Sequence, residues 1–149
     1  MNVLAPVSSI MSTDLKTLLI EDAVIKAKEL FDGHNIHHIP IVGFKKIIGI
    51  ISKSDLLHFL RGSGRGRGDE ILEATRLRAW KVEELMNKEV FTLQQEDTIM
   101  RALDIFKNNQ IHCIPILDNE ELVGIVTPHD IILKVREEAM NQLENSSLK

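Results

Sequence analysis

Apolar residues recur along this chain in an order that is used twice. After the acidic pair Glu21-Asp22 they fall at helical spacing in Val24, Ala27, Leu30 and Phe31. The same spacing follows Glu96-Asp97 in Ile99, Ala102, Ile105 and Phe106. Both stretches predict amphipathic helices. A short strand is predicted next, over residues 39–42 and 114–117, each opening at a proline, which fits the first position of a strand. A turn follows, clearest in Asp118-Asn119-Glu120. Unbroken apolar runs over 47–51 and 122–126 then predict strands buried on both faces. Each run ends at a hydroxyl residue, Ser52 or Thr127, and a second helix is predicted to begin within two or three residues. With a further short strand near 15–18 and 90–93, the unit reads helix, strand, strand, helix.

Residues 7–60 and 82–135 superpose at a constant offset of 75 without a gap, with 16 of 54 positions identical. Unrelated sequences of ordinary composition would share about 3. One copy alone would expose an apolar sheet face, so the two copies are expected to pack about a pseudo-twofold axis with their sheets together. The fold class is α+β. Residues 61–81 form a linker that opens as Arg61-Gly62-Ser63-Gly64-Arg65-Gly66-Arg67-Gly68, too rich in glycine for a regular element. Asp69-Glu70 then begins an amphipathic stretch through Ile71, Leu72, Leu77 and Trp80, a predicted helix with acid in its first turn. Residues 136–149 are expected to be a C-terminal helix and tail.

Composition narrows the classes. The 149 residues are 44% apolar, 27% charged and 4% aromatic, with a net charge of −4. That excludes a wholly disordered chain and speaks against a general nucleic-acid binder. No apolar run approaches the roughly 20 residues that span a bilayer, and Met1 to Ile10 carry no secretion signal, so no membrane association is expected. The single cysteine, Cys113, excludes an internal disulfide and suits a reducing cytoplasm, where it is expected to be a small buried residue. The three arginines of the glycine-rich stretch 61–68 lack interleaved aromatics and are expected to be solvated. His37, His38, His112 and Cys113 occupy matching places, but neighbours on a strand face opposite ways and the spacing fits no zinc signature. No protein metal site is expected; magnesium would enter only by bridging bound phosphates. No Gly-x-Ser-x-Gly, Walker loop or dinucleotide fingerprint occurs, and no enzyme activity is expected.

The corner where the apolar strand meets the second helix carries the chemistry. It reads Gly49-Ile50-Ile51-Ser52-Lys53-Ser54-Asp55 in the first copy and Gly124-Ile125-Val126-Thr127-Pro128-His129-Asp130 in the second. A helix starting there offers free N–H groups and the positive end of its dipole. The hydroxyl can donate to a phosphate, and the carboxylate three residues on can accept from both hydroxyls of a ribose. Helix capping accounts for one such corner. Two corners with Asp in the same slot favour a ligand.

On these residues, and on the matched Ile36-His37-His38-Ile39-Pro40-Ile41 and Ile111-His112-Cys113-Ile114-Pro115-Ile116, both copies resemble cystathionine-beta-synthase (CBS) repeats. The pair resembles a CBS pair, or Bateman module, over residues 7–135. The resemblance implies a stand-alone regulatory module binding AMP, ADP or ATP, or S-adenosylmethionine, NAD or a cyclic dinucleotide, in clefts between the repeats. It requires no further cofactor. It also implies a disc-shaped homodimer and an effector protein that reads the change of shape or assembly.

Carried over by position, one cleft takes Asp22, Ala27 and Ile36 as its adenine wall, with Ile125, Thr127, His129 and Asp130 on the ribose and phosphate side. The other takes Asp97, Ala102 and Ile111 with Ile50, Ser52, Ser54 and Asp55. By the same resemblance His37 and His112 reach phosphate, where a nearby anion would favour the charged imidazole. Half-buried histidines bonded to loop carbonyls account for them equally well. His129 stands where the first copy has Ser54, Pro128 removes one donor at a position proline tolerates, and Gly43-Phe44-Lys45-Lys46 replaces the acidic turn usual in the family. The two clefts are therefore expected to be non-equivalent. The rival reading is a ligand-free dimerisation scaffold.

Overall fold

A computed structural model describes residues 1–61 and 67–147, apart from the side chains of 67–69. The glycine-arginine loop expected at the start of the linker falls, for residues 62–66, outside the described residues. The chain forms two compact units: Lys16–Val90, and Met1–Leu15 joined with Phe91–Lys149.

In the Lys16–Val90 unit, β1 (Leu18–Leu19) precedes α1 (Val24–Gly33), β2 (His38–Gly43), β3 (Lys46–Ser52), α2 (Lys53–Arg61) and α3 (Arg67–Ala79). β1 lies parallel to β2, β2 antiparallel to β3, and the sheet order is β1-β2-β3. The other unit repeats the plan with β4 (Leu93–Gln94), α4 (Ile99–Asn109), β5 (Ile114–Asp118), β6 (Glu121–Val126) and α5 (Pro128–Ser147) in the order β4-β5-β6. The same bulge recurs at Ile41/Val42 and at Ile116/Leu117. The helix-strand-strand-helix unit and the α+β class are therefore observed.

Each sheet is closed by a short arm of chain that the repeat boundaries assign elsewhere. Val82, in a 3₁₀ turn (Val82–Glu84), is fully buried among Val24, Phe31, Ile39 and Ile51. Val7, in the matching turn (Val7–Ser9), is fully buried among Ile99, Ile114, Ile116 and Val126. Beyond each turn the arm runs along the free edge of a strand. Asn87 and Ile50 exchange N–H···O bonds of 2.8 and 3.0 Å, and Ser12 and Ile125 bonds of 2.9 and 3.0 Å. Because Ile50 and Ile125 spend both backbone groups on the arms, their cross-strand partners Pro40 and Pro115 sit at pairs with no ladder bond on that side. The missing N–H of each proline therefore faces the β1 or β4 side, one residue before the parallel pairing begins at Ile41 and Ile116, so no ladder bond is lost.

Several expectations need correction. Pro40 and Pro115 follow one or two residues of strand rather than opening it. The strands of the apolar runs are not buried on both faces. Gly49, Ile51, Gly124 and Val126 are buried, whereas Ile50 and Ile125 are only partly so. The second helices do begin within two or three residues of Ser52 and Thr127, as expected, and in fact directly after them. α5 runs unbroken to Ser147, so residues 136–147 continue the second repeat's helix rather than forming another. Among the described side chains of α3 only Leu77 is buried, while Ile71 and Leu72 are exposed.

Candidate functional site

Both strand-to-helix corners are reciprocal capping boxes, which satisfy orphan N–H groups of the first helical turn. In the first, Ser52 N–H donates to Asp55 Oδ2 (2.7 Å) and Asp55 N–H donates to Ser52 Oγ (3.1 Å). In the second, Thr127 N–H donates to Asp130 Oδ2 (2.7 Å) and Asp130 N–H donates to Thr127 Oγ1 (3.3 Å). Pro128 takes the first helical position, where its missing donor costs nothing. Capping and ligand binding are compatible at these corners, since one carboxylate oxygen suffices for the cap.

Each carboxylate borders a groove within its own unit. Asp55 lines one of about 440 Å³ with His58, Phe59, Trp80, Glu84 and Leu85. Asp130 lines one of about 390 Å³ with Ser9, Ile10, Met11, Leu133 and Glu137. The first is aromatic: Phe59 and Trp80 meet edge to face at 5.6 Å, and the Arg76 guanidinium lies 4.3 Å from the Phe59 ring centre. The second groove has no aromatic wall.

The family model for the CBS domain matches residues 7–62 and 82–137. The chain belongs to the CBS domain family. An inosine-5'-monophosphate dehydrogenase of Thermoplasma acidophilum is 28% identical over 127 residues, which are 85% of this chain. This CBS pair spans only 23% of that relative's length. The CBS domain-containing protein YhcV of Bacillus subtilis is 26% identical over 97% of this chain and 90% of its own. Among solved structures, the CBS domain pair of protein MJ0100, in complex with 5'-methylthioadenosine and S-adenosyl-L-methionine, shares 26% identity. That match has a TM-score of 0.70 and covers 87% of this chain and 98% of MJ0100's.

The residues expected to line the CBS clefts divide evenly between the units. Lys16–Val90 holds Asp22, Ala27, Ile36, His37, Ile50, Ser52, Ser54 and Asp55; the other unit holds Asp97, Ala102, Ile111, His112, Ile125, Thr127, His129 and Asp130. Ala27 and Ala102, expected on the adenine walls, line neither groove. Both are fully buried in their own cores, where a small residue lets α1 and α4 lie close on the sheets. Ile36 and Ile111 are half-buried against the same cores. Asp22 and Asp97 close the turns after β1 and β4, accepting from Leu19 N–H and Gln94 N–H (both 2.8 Å) and pairing with Lys26 and Arg101. Burial raises the Asp22 carboxyl, but the Lys26 ammonium and the Leu19 N–H outweigh it and hold it below the usual carboxylate range.

His37, His112, Ser54 and His129 are exposed, so the half-buried reading of the two matched histidines is overturned. His37 and His112 lie in the chain just before β2 and β5, and Ser54 and His129 lie in the first turns of α2 and α5. Cys113 is buried as expected, and burial together with the Asp130 charge pushes its thiol up to about 12. Among the described residues no three His, Cys, Asp or Glu side chains converge as metal ligands, and no helix is long and apolar enough to cross a membrane. Sequence reasoning missed the arm residues Ser12 and Asn87 beside the corners. Their only advance signal was Met11/Met86, one place earlier and identical in both copies.

Proposed function

We propose that this CBS pair is a regulatory module that binds adenosine-containing ligands of the AMP, ADP or ATP type, using Asp55 and Asp130 for ribose and Ser52 and Thr127 for phosphate. The supporting observation is the twice-built corner, in which the cap spends Asp55 Oδ2 and leaves Oδ1 without a hydrogen bond among the described residues. The adenosyl ligands named for the MJ0100 pair agree with it. His37 and His112, exposed one place before β2 and two before β5, are proposed to meet phosphate; Asp22, Asp97, Ile36 and Ile111 are proposed to line the base. A bound ligand favours whichever arrangement it contacts, and that shift is the signal another protein reads. Exposed Ile132, Val135, Met140 and Leu143 along α5 support assembly into a homodimer.

One observation favours the ligand-free scaffold: both carboxylates already work as helix caps. A thermal-shift panel of AMP, ADP, ATP, S-adenosylmethionine, NAD and cyclic dinucleotides separates the two. The nucleotide reading expects a rise with at least one compound, abolished when Asp55→Asn and Asp130→Asn are combined, because asparagine keeps a capping acceptor but loses the charge. A flat panel decides for the scaffold.

A further inference from the structure

The two corners are built alike yet are not equally free, and the difference lies in the arm beside each. Ser12 is pinned by its two backbone bonds to Ile125, and its Oγ–H donates to Asp130 Oδ1 (3.2 Å). Thr127 Oγ1–H donates to Asp130 Oδ2 (2.7 Å), which also takes the capping bond. Both oxygens of Asp130 are thus engaged, and the Thr127 hydroxyl proton is spent on its own carboxylate. At the matching place Asn87 is pinned in the same way to Ile50, but its side-chain oxygen accepts from Glu89 N–H (3.0 Å). That bond holds the amide oxygen on its own loop, and among the described residues the Asn87 side chain makes no hydrogen bond to the corner. Asp55 Oδ1 carries no hydrogen bond among the described residues, and Ser52 Oγ serves the cap only as acceptor, so its proton remains available.

We propose that the arm residue at positions 12 and 87 sets the order of filling: Ser12 closes the Asp130 corner, Asn87 leaves the Asp55 corner open, and the first equivalent of an adenosine ligand binds at Asp55. This rests on the adenosine reading given above. A ribose can take the open Oδ1 of Asp55 directly, whereas at Asp130 it must first displace a charge-assisted hydrogen bond. The chain therefore answers in two concentration ranges rather than one, and serine at position 12 separates them.

Isothermal titration of the whole chain with AMP, and separately with S-adenosylmethionine, tests this. The unaltered protein is expected to show a tight and a weak class. Asp55→Asn removes the tight class and spares the weak one. Ser12→Ala tightens the weak class about fivefold, as the loss of one competing hydrogen bond allows. Asn87→Ser, which installs the serine at the open corner, weakens the tight class by a similar factor. Two equal classes in the unaltered protein, or both arm variants leaving the two classes unmoved, overturn the order of filling while leaving adenosine binding intact. No heat from either compound, in the unaltered protein and in Ser12→Ala alike, overturns adenosine binding and the order of filling together.

Discussion

At the scale of single residues the repeat acts as an internal control, because each contact has a twin. Gly49 and Gly124 occupy the buried position of β3 and β6 where an arm methionine crosses. A Cβ built on Gly49 would lie 2.4 Å from Met86 Sδ and 3.1 Å from the Asn87 carbonyl oxygen. On Gly124 it would lie 2.6 Å from Met11 Sδ. Gly49→Ala must therefore displace the Met86 side chain and ease the Asn87 carbonyl away from the strand. A loss of about 1–3 kcal/mol is expected, the usual range for overpacking, read as a lower denaturant midpoint at unchanged slope. Met86→Ala in the same chain vacates the space, so the double variant should lose less than the two single losses added together. A strictly additive pair would mean that the glycine is needed for something other than the methionine. The corner Asp residues could be read from spacing alone, since Asp55 and Asp130 stand three residues after a hydroxyl in both copies. Their partner Ser12 could not, because it lies 118 residues from Asp130 along the chain and differs from its twin Asn87.

At the scale of elements the twins expose a missing cap. α4 starts after Thr98, whose side chain accepts from Arg101 N–H at 3.3 Å with φ −77° and ψ 154°. α1 starts after Ala23 in nearly the same backbone geometry, φ −73° and ψ 149°, with no side-chain cap. Ala23→Thr is expected to supply that acceptor without strain and to stabilise the chain by about 0.5–2 kcal/mol. A thermal melt checks it, and an unchanged or lower midpoint would show that the threonine cannot reach the N–H. Most elements were legible because each expresses one strong period: helical spacing from Val24 and Ile99, a continuous apolar run before Ser52 and Thr127. Linker and tail were less so. Nothing in residues 128–147 punctuates the helix after Pro128, so a division at 136 had no physical basis. The proline-opened strands were misplaced by one or two residues because the antiparallel ladder extends past each proline while the parallel ladder begins only at Ile41 and Ile116, so strand can precede the proline without needing its N–H. Burial on both faces of β3 was over-read from an unbroken apolar run in which Ile48 and Ile50 prove only partly buried.

At the scale of the whole molecule, sequence repeats and packed units do not share boundaries. The repeat ends near residue 60, but the unit built on it runs from Lys16 to Val90, taking in Leu77, Val82 and Met86 and giving up residues 7–15. A fragment cut at the repeat, residues 7–60, loses fully buried Val82, nearly buried Leu77, and the two backbone bonds that close the edge at Ile50. Each buried side chain contributes about 1.5–3 kcal/mol and each bond about 1 kcal/mol. The total is comparable with the whole stability of a small domain, about 5–15 kcal/mol, and a chain of this size starts at the low end. Residues 7–60 are therefore expected to stay unfolded, with a sloping melt and collapsed amide proton dispersion. Residues 16–90 keep every partner of that core and are expected to unfold in one cooperative step. Adding a peptide of residues 76–90 to the shorter fragment should restore part of the dispersion, since it returns Leu77, Val82 and the edge bonds together. Equal cooperativity in both fragments would show that the arm decorates the sheet rather than completing it.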